Sequence, residues 1–298
     1  MRSELLASDE FVDWITTDPD VRARLASSEA FRASFHAQTR FGAADASIPV
    51  DVEVTPAQLD AAFARVEATW EQVGADEPYW SVLSADRFKQ DQLADTEEFY
   101  ASGRHHAGDL VSILARHAVA PGDVGSCLEF GCGVGRVTEW LAREFPRVVA
   151  CDISRPHLDL TAARLEQLGL DNVELVRVAG RQDLTELPAV DLVYSIMVLQ
   201  HTPPPIMAFV LARLLDAIAP GGHGVLQLPT HDPRYHFDID EYLAGGEVDG
   251  ILMHVLPQPS VFDIIRSSGC QVLEVHPDHL AGMAPRTMSN VFVVGRPA

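Results

Sequence analysis

The stretch Leu128-Glu129-Phe130-Gly131-Cys132-Gly133-Val134-Gly135-Arg136 narrows the choice of fold further than any other part of this chain. A short apolar run leads into it and an amphipathic run leads out. Three glycines at alternating positions leave the inner face of a turn without side chains. A ligand can then lie directly against main-chain N–H groups. The pattern is that of a nucleotide-binding turn between a strand and a helix.

From residue 125 onward, strand-like and helix-like runs alternate. Strands are predicted over 126–130, 147–152, 172–178, 190–196, 223–228, 270–276 and 290–295. Helices are predicted over 135–145, 156–168, 205–219 and 260–268, the last capped by Ser260 and closed by Gly269. Such alternation predicts an α/β fold whose parallel sheet is covered on both faces. Residues 278–288 carry no helical pattern, so the seventh strand is expected to return antiparallel.

The first 120 residues read as helices. Ser8 can cap a turn carrying Phe11, Trp14 and Ile15, and Phe31 and Phe35 mark a second short helix. The clearest start is Thr55-Pro56-Ala57-Gln58, where Thr55 caps, Pro56 takes the first helical position and Gln58 completes a capping box. Leu59, Ala62, Phe63, Val66 and Trp70 follow on one face, and Gly74 is expected to end the helix. A connection over 75–95, a helix over 96–102 and another carrying Leu110, Val111 and Leu114 complete the region. The expected organisation is a helical cap or lid over 1–120 and a ligand-binding domain over 121–298, with an insertion at 230–258.

Composition restricts the partners. A hydrophobic fraction of 47% is ample for a core, and no run of eighteen apolar residues appears. Met1-Arg2-Ser3-Glu4-Leu5-Leu6 lacks the apolar core of a signal peptide, so a cytoplasmic location is expected. The four cysteines form no CxxC pair, and Cys127 and Cys151 sit in apolar runs as small buried hydrophobes. A formal net charge of -21 repels phosphate backbones and anionic lipid. Neither a nucleic acid nor a membrane is expected as partner; a small molecule suits the field. The N-terminal helices present a face that suits either a lid or a homodimer.

Glu129-Phe130-Gly131-Cys132-Gly133-Val134-Gly135 resembles the first motif of the class I S-adenosylmethionine-dependent methyltransferases, an acidic residue followed by GxGxG. A dinucleotide fingerprint would place a third glycine where Arg136 stands, which disfavours a nicotinamide oxidoreductase. The resemblance covers about residues 121–298 and implies a Rossmann-like, mainly parallel seven-stranded sheet with an antiparallel last strand. It implies S-adenosylmethionine as cofactor, with Gly131, Cys132, Gly133 and Gly135 along its amino-acid tail and Glu129 near the cation. Asp152, ending the second strand, is expected to accept the ribose hydroxyls, with Ser154 as the better helix cap. Ile153 would cover the adenine, Asp183 would accept its amino group, and Leu184 would adjoin it. Ser195 and Gln200, after the fourth strand, would lie near the reacting methyl.

The motifs describe the cofactor better than the acceptor. A hydroxyl acceptor needs a base, and His201 at the carboxyl end of the fourth strand is the first candidate. His105 and His106 from the helical region, and His231, His236 and His254 from the insertion, are the candidate acceptor contacts. His231, Asp232, His236, Asp238 and Asp240 carry no tight metal-ligand spacing, so no metal is expected. The expected activity is methyl transfer to a hydroxyl oxygen of a metabolite or natural product, a sugar among the candidates. The alternative is a cofactor-binding protein on the same fold, a cyclase or regulatory subunit, that transfers no methyl.

Overall fold

The structure, a computed structural model, describes residues 19–28, 48–232, 234–245, 251–278, 280 and 287–298. The helical turns expected around Ser8 and Phe31 lie outside the described residues. In chain order the elements are α1 (Pro19–Ser27), α2 (Pro56–Asp76), α3 (Pro78–Val82), α4 (Thr96–Ala101), α5 (Gly103–Arg116) and β1 (Cys127–Phe130). Then come α6 (Thr138–Glu144), β2 (Val148–Asp152), α7 (Arg155–Leu168), β3 (Val173–Arg177), α8 (Arg181–Thr185) and β4 (Val190–Ser195). The chain continues through α9 (Pro204–Asp216), β5 (Ile218–His231), α10 (Ile239–Ala244), α11 (Gln258–Ser267), β6 (Gln271–Asp278) and β7 (Met288–Gly295).

The seven strands form one sheet in the order β3-β2-β1-β4-β5-β7-β6. Strands β1 to β5 pair in parallel. β7 runs antiparallel to both β5 and β6 and lies between them. The sequence places strands on both faces in contact with helices, and the core shows it. In β2, Val148 and Ala150 face one core while Val149 and Cys151 face the other, and all four are fully buried. Period-2 alternation with apolar residues on both faces is what a sheet covered twice requires. One core packs α5, α6 and α7 onto the sheet; the other packs α2, α9 and α11.

Four local expectations change. Gly74 does not end α2 but lies inside it, buried, where a Cβ would meet Ser154 Oγ at 2.3 Å. It is a close-approach glycine that seats α2 against the start of α7. The first helix after the glycine turn begins only at Thr138, because residues 133–137 complete the turn itself. β5 starts at Ile218, so Pro220-Gly221-Gly222 lies within a strand; Gly221 at φ +80° sits beside the register shift between Val190 and Leu192. α11 starts at Gln258 after Pro257, so Ser260 is interior and caps nothing.

The Thr55 capping box is present: Thr55 N–H donates to Gln58 Oε1 (3.0 Å) and Gln58 N–H to Thr55 Oγ1 (3.3 Å). The N-terminal region and the insertion then join as one wall. Phe237 N–H donates to Pro49 O and Asp51 N–H to Phe237 O, both at 3.0 Å. Gln58 Nε2 donates to Asp240 Oδ1 (2.8 Å), and Arg65 Nη1 to the carbonyls of Tyr242 (2.9 Å) and Gly245 (2.8 Å). Among the described residues no helix is long and apolar enough to cross a membrane.

Candidate active site

A cleft of about 1070 Å³ opens at the carboxyl ends of β1, β2 and β4. Ligands of parallel sheets bind at this edge, where the strand order reverses. Its floor is the glycine turn. Gly131, Gly133 and Gly135 all have positive φ, at +80°, +55° and +83°. The N–H groups of Gly131 and Cys132 both donate to Cys151 O, at 2.8 and 2.9 Å, which ties the turn to β2. A Cβ at Gly131 would lie 2.3 Å from Val198 Cγ2, and one at Gly133 2.7 Å from Val82 Cγ2. The turn is therefore glycine for two reasons at once, backbone conformation and the nearness of the walls. Gly135 differs. It does not line the cleft, and its Cβ would meet Thr161 Cγ2 at 2.9 Å, so it serves the packing of α7.

Asp152 stands at the end of β2, 8% exposed, and faces the cleft. Its Oδ2 accepts from Gly133 N–H (2.7 Å) and its Oδ1 from Ser154 N–H (2.9 Å). The carboxylate thus braces the turn while its remaining lone pairs stay available to a ligand. Ser154 caps α7 as expected, accepting from His157 N–H at 3.4 Å. Ile153 and Leu184 line the cleft as apolar walls. Asp183 does not line it. Its Oδ2 accepts from the N–H groups of Ala179 (2.9 Å) and Gly180 (3.0 Å), so it secures the turn into α8.

Glu129 lines the cleft and is 4% exposed. Thr138 Oγ1 donates to its Oε2 at 2.6 Å. Burial pushes its carboxyl up to about 7, against the opposing pull of the Thr138 hydroxyl and the Arg136 charge. A buried carboxyl of this kind gains from a cation placed beside it.

The structure separates the other candidates. His201 lines the cleft beside Trp70, ring centroids 5.6 Å apart. Its Nδ1 lies 3.2 Å from Leu252 O and therefore carries the proton, and its Nε2 lies 3.3 Å from the Gln200 amide nitrogen. Burial pushes its imidazole down to about 4, so the ring is neutral. His106 lines the cleft with its Nδ1 3.0 Å from Arg136 Nη2. His254 lines a smaller adjoining hollow with Trp70 and His201, and its Nδ1 pairs with the Tyr235 hydroxyl at 2.7 Å. His105 is exposed beside Asp109, His236 is exposed, and neither they nor His231 line the cleft. Ser195 and Gln200 stand behind the wall. Ser195 Oγ donates to Phe130 O (3.1 Å), and Gln200 Oε1 accepts from Gln227 Nε2 (3.1 Å).

That last contact belongs to a larger brace. Met197, in the cleft wall, has φ +63°, and its N–H donates to Gln227 Oε1 at 2.7 Å. Gln227 Nε2 also donates to Ser289 Oγ on β7 (2.7 Å). The acidic insertion residues are likewise engaged: Asp232 accepts from Arg234 N–H and Thr287 Oγ1, and Asp238 caps α10. Among the described residues no group of three or more His, Cys, Asp or Glu is arranged to hold a metal ion.

Sequence reasoning missed Ser81, His157, Arg136 and Tyr194, all of which line the cleft. Ser81 Oγ lies 3.0 Å from His157 Nε2, and His157 Nδ1 3.6 Å from Asp152 Oδ1. The line looks like a hydrolytic triad, but Ser81 Oγ also bonds Pro78 O (2.9 Å) and both Asp152 oxygens hold backbone N–H groups. It acts as a strut from α3 to the end of β2. Phe63, Val66 and Trp70 were expected on the inward face of α2; they prove to be the roof of the cleft.

Residues 128–223 match a family model described as a methyltransferase domain. The chain is 27% identical over 155 residues to trans-aconitate 2-methyltransferase of Variovorax paradoxus, covering 49% of this chain and 57% of that protein. It is 34% identical over 132 residues to trans-aconitate 2-methyltransferase of Deinococcus radiodurans, covering 44% and 46%. The matched segment thus spans about half the length of these relatives. Among solved structures, magnesium protoporphyrin IX methyltransferase from Synechocystis PCC 6803 with bound SAH shares the fold, with a TM-score of 0.54 and 18% identity over 79% of this chain and 99% of that one. With the strand order and glycine turn, these matches show that residues 128–223 are similar to a methyltransferase domain and that the chain has the Rossmann-like fold of a solved methyltransferase that binds SAH.

Proposed function

We propose that this protein transfers a methyl group from S-adenosylmethionine to a hydroxyl oxygen of a small metabolite or natural product, a sugar among the candidates. The observation that carries the reading is the cleft itself, floored by the glycine turn and roofed by Phe63, Val66 and Trp70. The residues fit the cofactor. The side-chain-free turn takes its amino-acid tail, Glu129 faces a cation, Asp152 retains lone pairs for ribose hydroxyls, and Ile153 and Leu184 offer apolar walls to the adenine. When bound, the cofactor supplies an electrophilic methyl carbon on a sulfonium. The protein must then hold an acceptor in line and exclude water.

A roofed cleft on a chain of net charge -21 suits a small acceptor rather than a nucleic acid. The two trans-aconitate methyltransferases among the relatives support the same size class. His201 acts here as a positioning residue. Its Nδ1–H is committed to Leu252 O, and an imidazole held near 4 is a weak base at neutral pH.

Calorimetry with S-adenosylhomocysteine should show binding, and incubation with S-adenosylmethionine and an alcohol and sugar panel should release S-adenosylhomocysteine. Absence of binding would sink the cofactor reading. Binding without product from any acceptor would favour the non-methylating alternative. His201→Ala should lower turnover with little change in cofactor affinity. The wild-type rate should show no histidine step near pH ~6.5; such a step, lost in the variant, would restore His201 as the base.

A further inference from the structure

Arg136 is the group that the cofactor fit leaves unexplained. It follows the glycine turn, lines the cleft and is only 5% exposed. Its hydrogen bonds go to neutral partners: Nη1 donates to Ser102 Oγ (3.3 Å), and Nη2 lies 3.0 Å from His106 Nδ1. Its Nε is buried with no partner. Among the described residues no carboxylate lies within ion-pair distance of it, although arginines 116, 147, 164, 177 and 181 all have one. Glu129 is near enough to be felt electrostatically but makes no bond to it.

A buried guanidinium without a counter-ion is costly, and an unused N–H adds to the cost. Such a group persists where a ligand completes it. His106 supports this. Burial, with the Arg136 charge second, pushes its imidazole down to about 4, so it stays neutral and its Nδ1 accepts from Arg136. Its other ring nitrogen is then a donor. A guanidinium fork beside a neutral N–H donor matches a carboxylate, which accepts through two oxygens.

We infer that Arg136 and His106 form a carboxylate-binding subsite of the cleft. The inference rests on the methyltransferase reading above. Two carboxylates could occupy the subsite, that of the cofactor's amino-acid tail and one carried by the acceptor.

The test uses the full chain, S-adenosylhomocysteine and its decarboxylated analogue, which keeps the ammonium. If the tail is the occupant, the wild type prefers S-adenosylhomocysteine by about thirtyfold or more, the size expected for truncating one partner of a buried charge pair. Arg136→Gln then abolishes that preference and Arg136→Lys recovers part of it. If the acceptor is the occupant, the preference survives in Arg136→Gln. Acetate and citrate then bind to the S-adenosylhomocysteine-loaded wild type by calorimetry but not to the loaded variant. The inference is overturned if the wild type binds both nucleosides equally and its loaded form binds neither anion, a result that needs no variant to fold. It is overturned equally if a folded Arg136→Gln retains both behaviours. Failure of the wild type to bind either nucleoside overturns the methyltransferase reading instead.

Discussion

Residues 127–153 build the floor of the cleft by local rules, whereas residues 56–82 build its roof by packing at long range. In the floor, a strand, three glycines and a terminal carboxylate follow one another within a short stretch of chain, and each owes its identity to its neighbours. Gly133 must be glycine because its φ is positive and a Cβ there would lie 2.7 Å from Val82 Cγ2. In the roof, Trp70 meets His201 and Ser81 meets His157 across 131 and 76 positions. The floor is set by backbone conformation and the roof by side-chain packing, so the roof can change without disturbing the floor. A fold of this kind can therefore retain its cofactor while its acceptor changes.

The sharpest break in this comparison comes from glycine. Gly131→Ala should abolish S-adenosylhomocysteine binding and destabilise the fold, since it combines φ +80° with a 2.3 Å clash against Val198. Gly169→Ala, at φ +65° with open space around it, should lower stability by about 1 kcal/mol and leave binding intact. Thermal melts and calorimetry on both variants separate conformational strain from contact with the cleft. Equal behaviour of the two would show that the floor is not crowded.

Asp152→Ala should weaken S-adenosylhomocysteine by more than about tenfold, through loss of a charge-assisted acceptor. Because two backbone N–H groups lose their partner, it should also lower stability by about 1–3 kcal/mol. Unchanged affinity in the calorimeter would remove the ribose role and leave Asp152 only its bracing one.

Glu129 gives a pH test. Its folded carboxyl sits near 7, above its ordinary 4.5, so the folded state binds the proton more tightly than the unfolded state does. Its favourable contribution is complete below about 4.5 and is lost as pH rises through about 7. Glu129→Gln should therefore gain stability relative to wild type between pH 5 and pH 8, by about 3 kcal/mol at most. Denaturant unfolding at the two pH values measures it, and a parallel response of both proteins would refute the shift. The smallest effect belongs to His105→Ala. That side chain is 81% exposed beside Asp109, so turnover and cofactor affinity should match wild type.

The strand and helix alternation, the antiparallel last strand, the Thr55 cap and the glycine turn could all be read from the sequence, because periodicity and turn chemistry encode them locally; the order of strands in the sheet, set by long-range pairing, could not. The position of Asp152 at the cleft was readable from its place at the end of a strand. Asp183, Ser195 and Gln200 were not, because a position in the chain does not say which way a polar side chain bonds. All three turn to backbone or buried side chains rather than to the cleft. Arg136 was noticed only as an interruption of a dinucleotide spacing. Its burial against His106 depends on α5, about thirty residues earlier in the chain. The His157–Ser81 strut likewise needs α3 folded over α7 before it exists.

Gln227 does not itself line the cleft, yet Met197 in the wall and Ser289 on β7 are both bonded to it. A substitution on the far strand thus reaches the wall through one amide. In an evolving lineage, selectivity in this fold can drift by changes that leave every residue of the cleft in place. A comparison restricted to the lining would record two such proteins as identical.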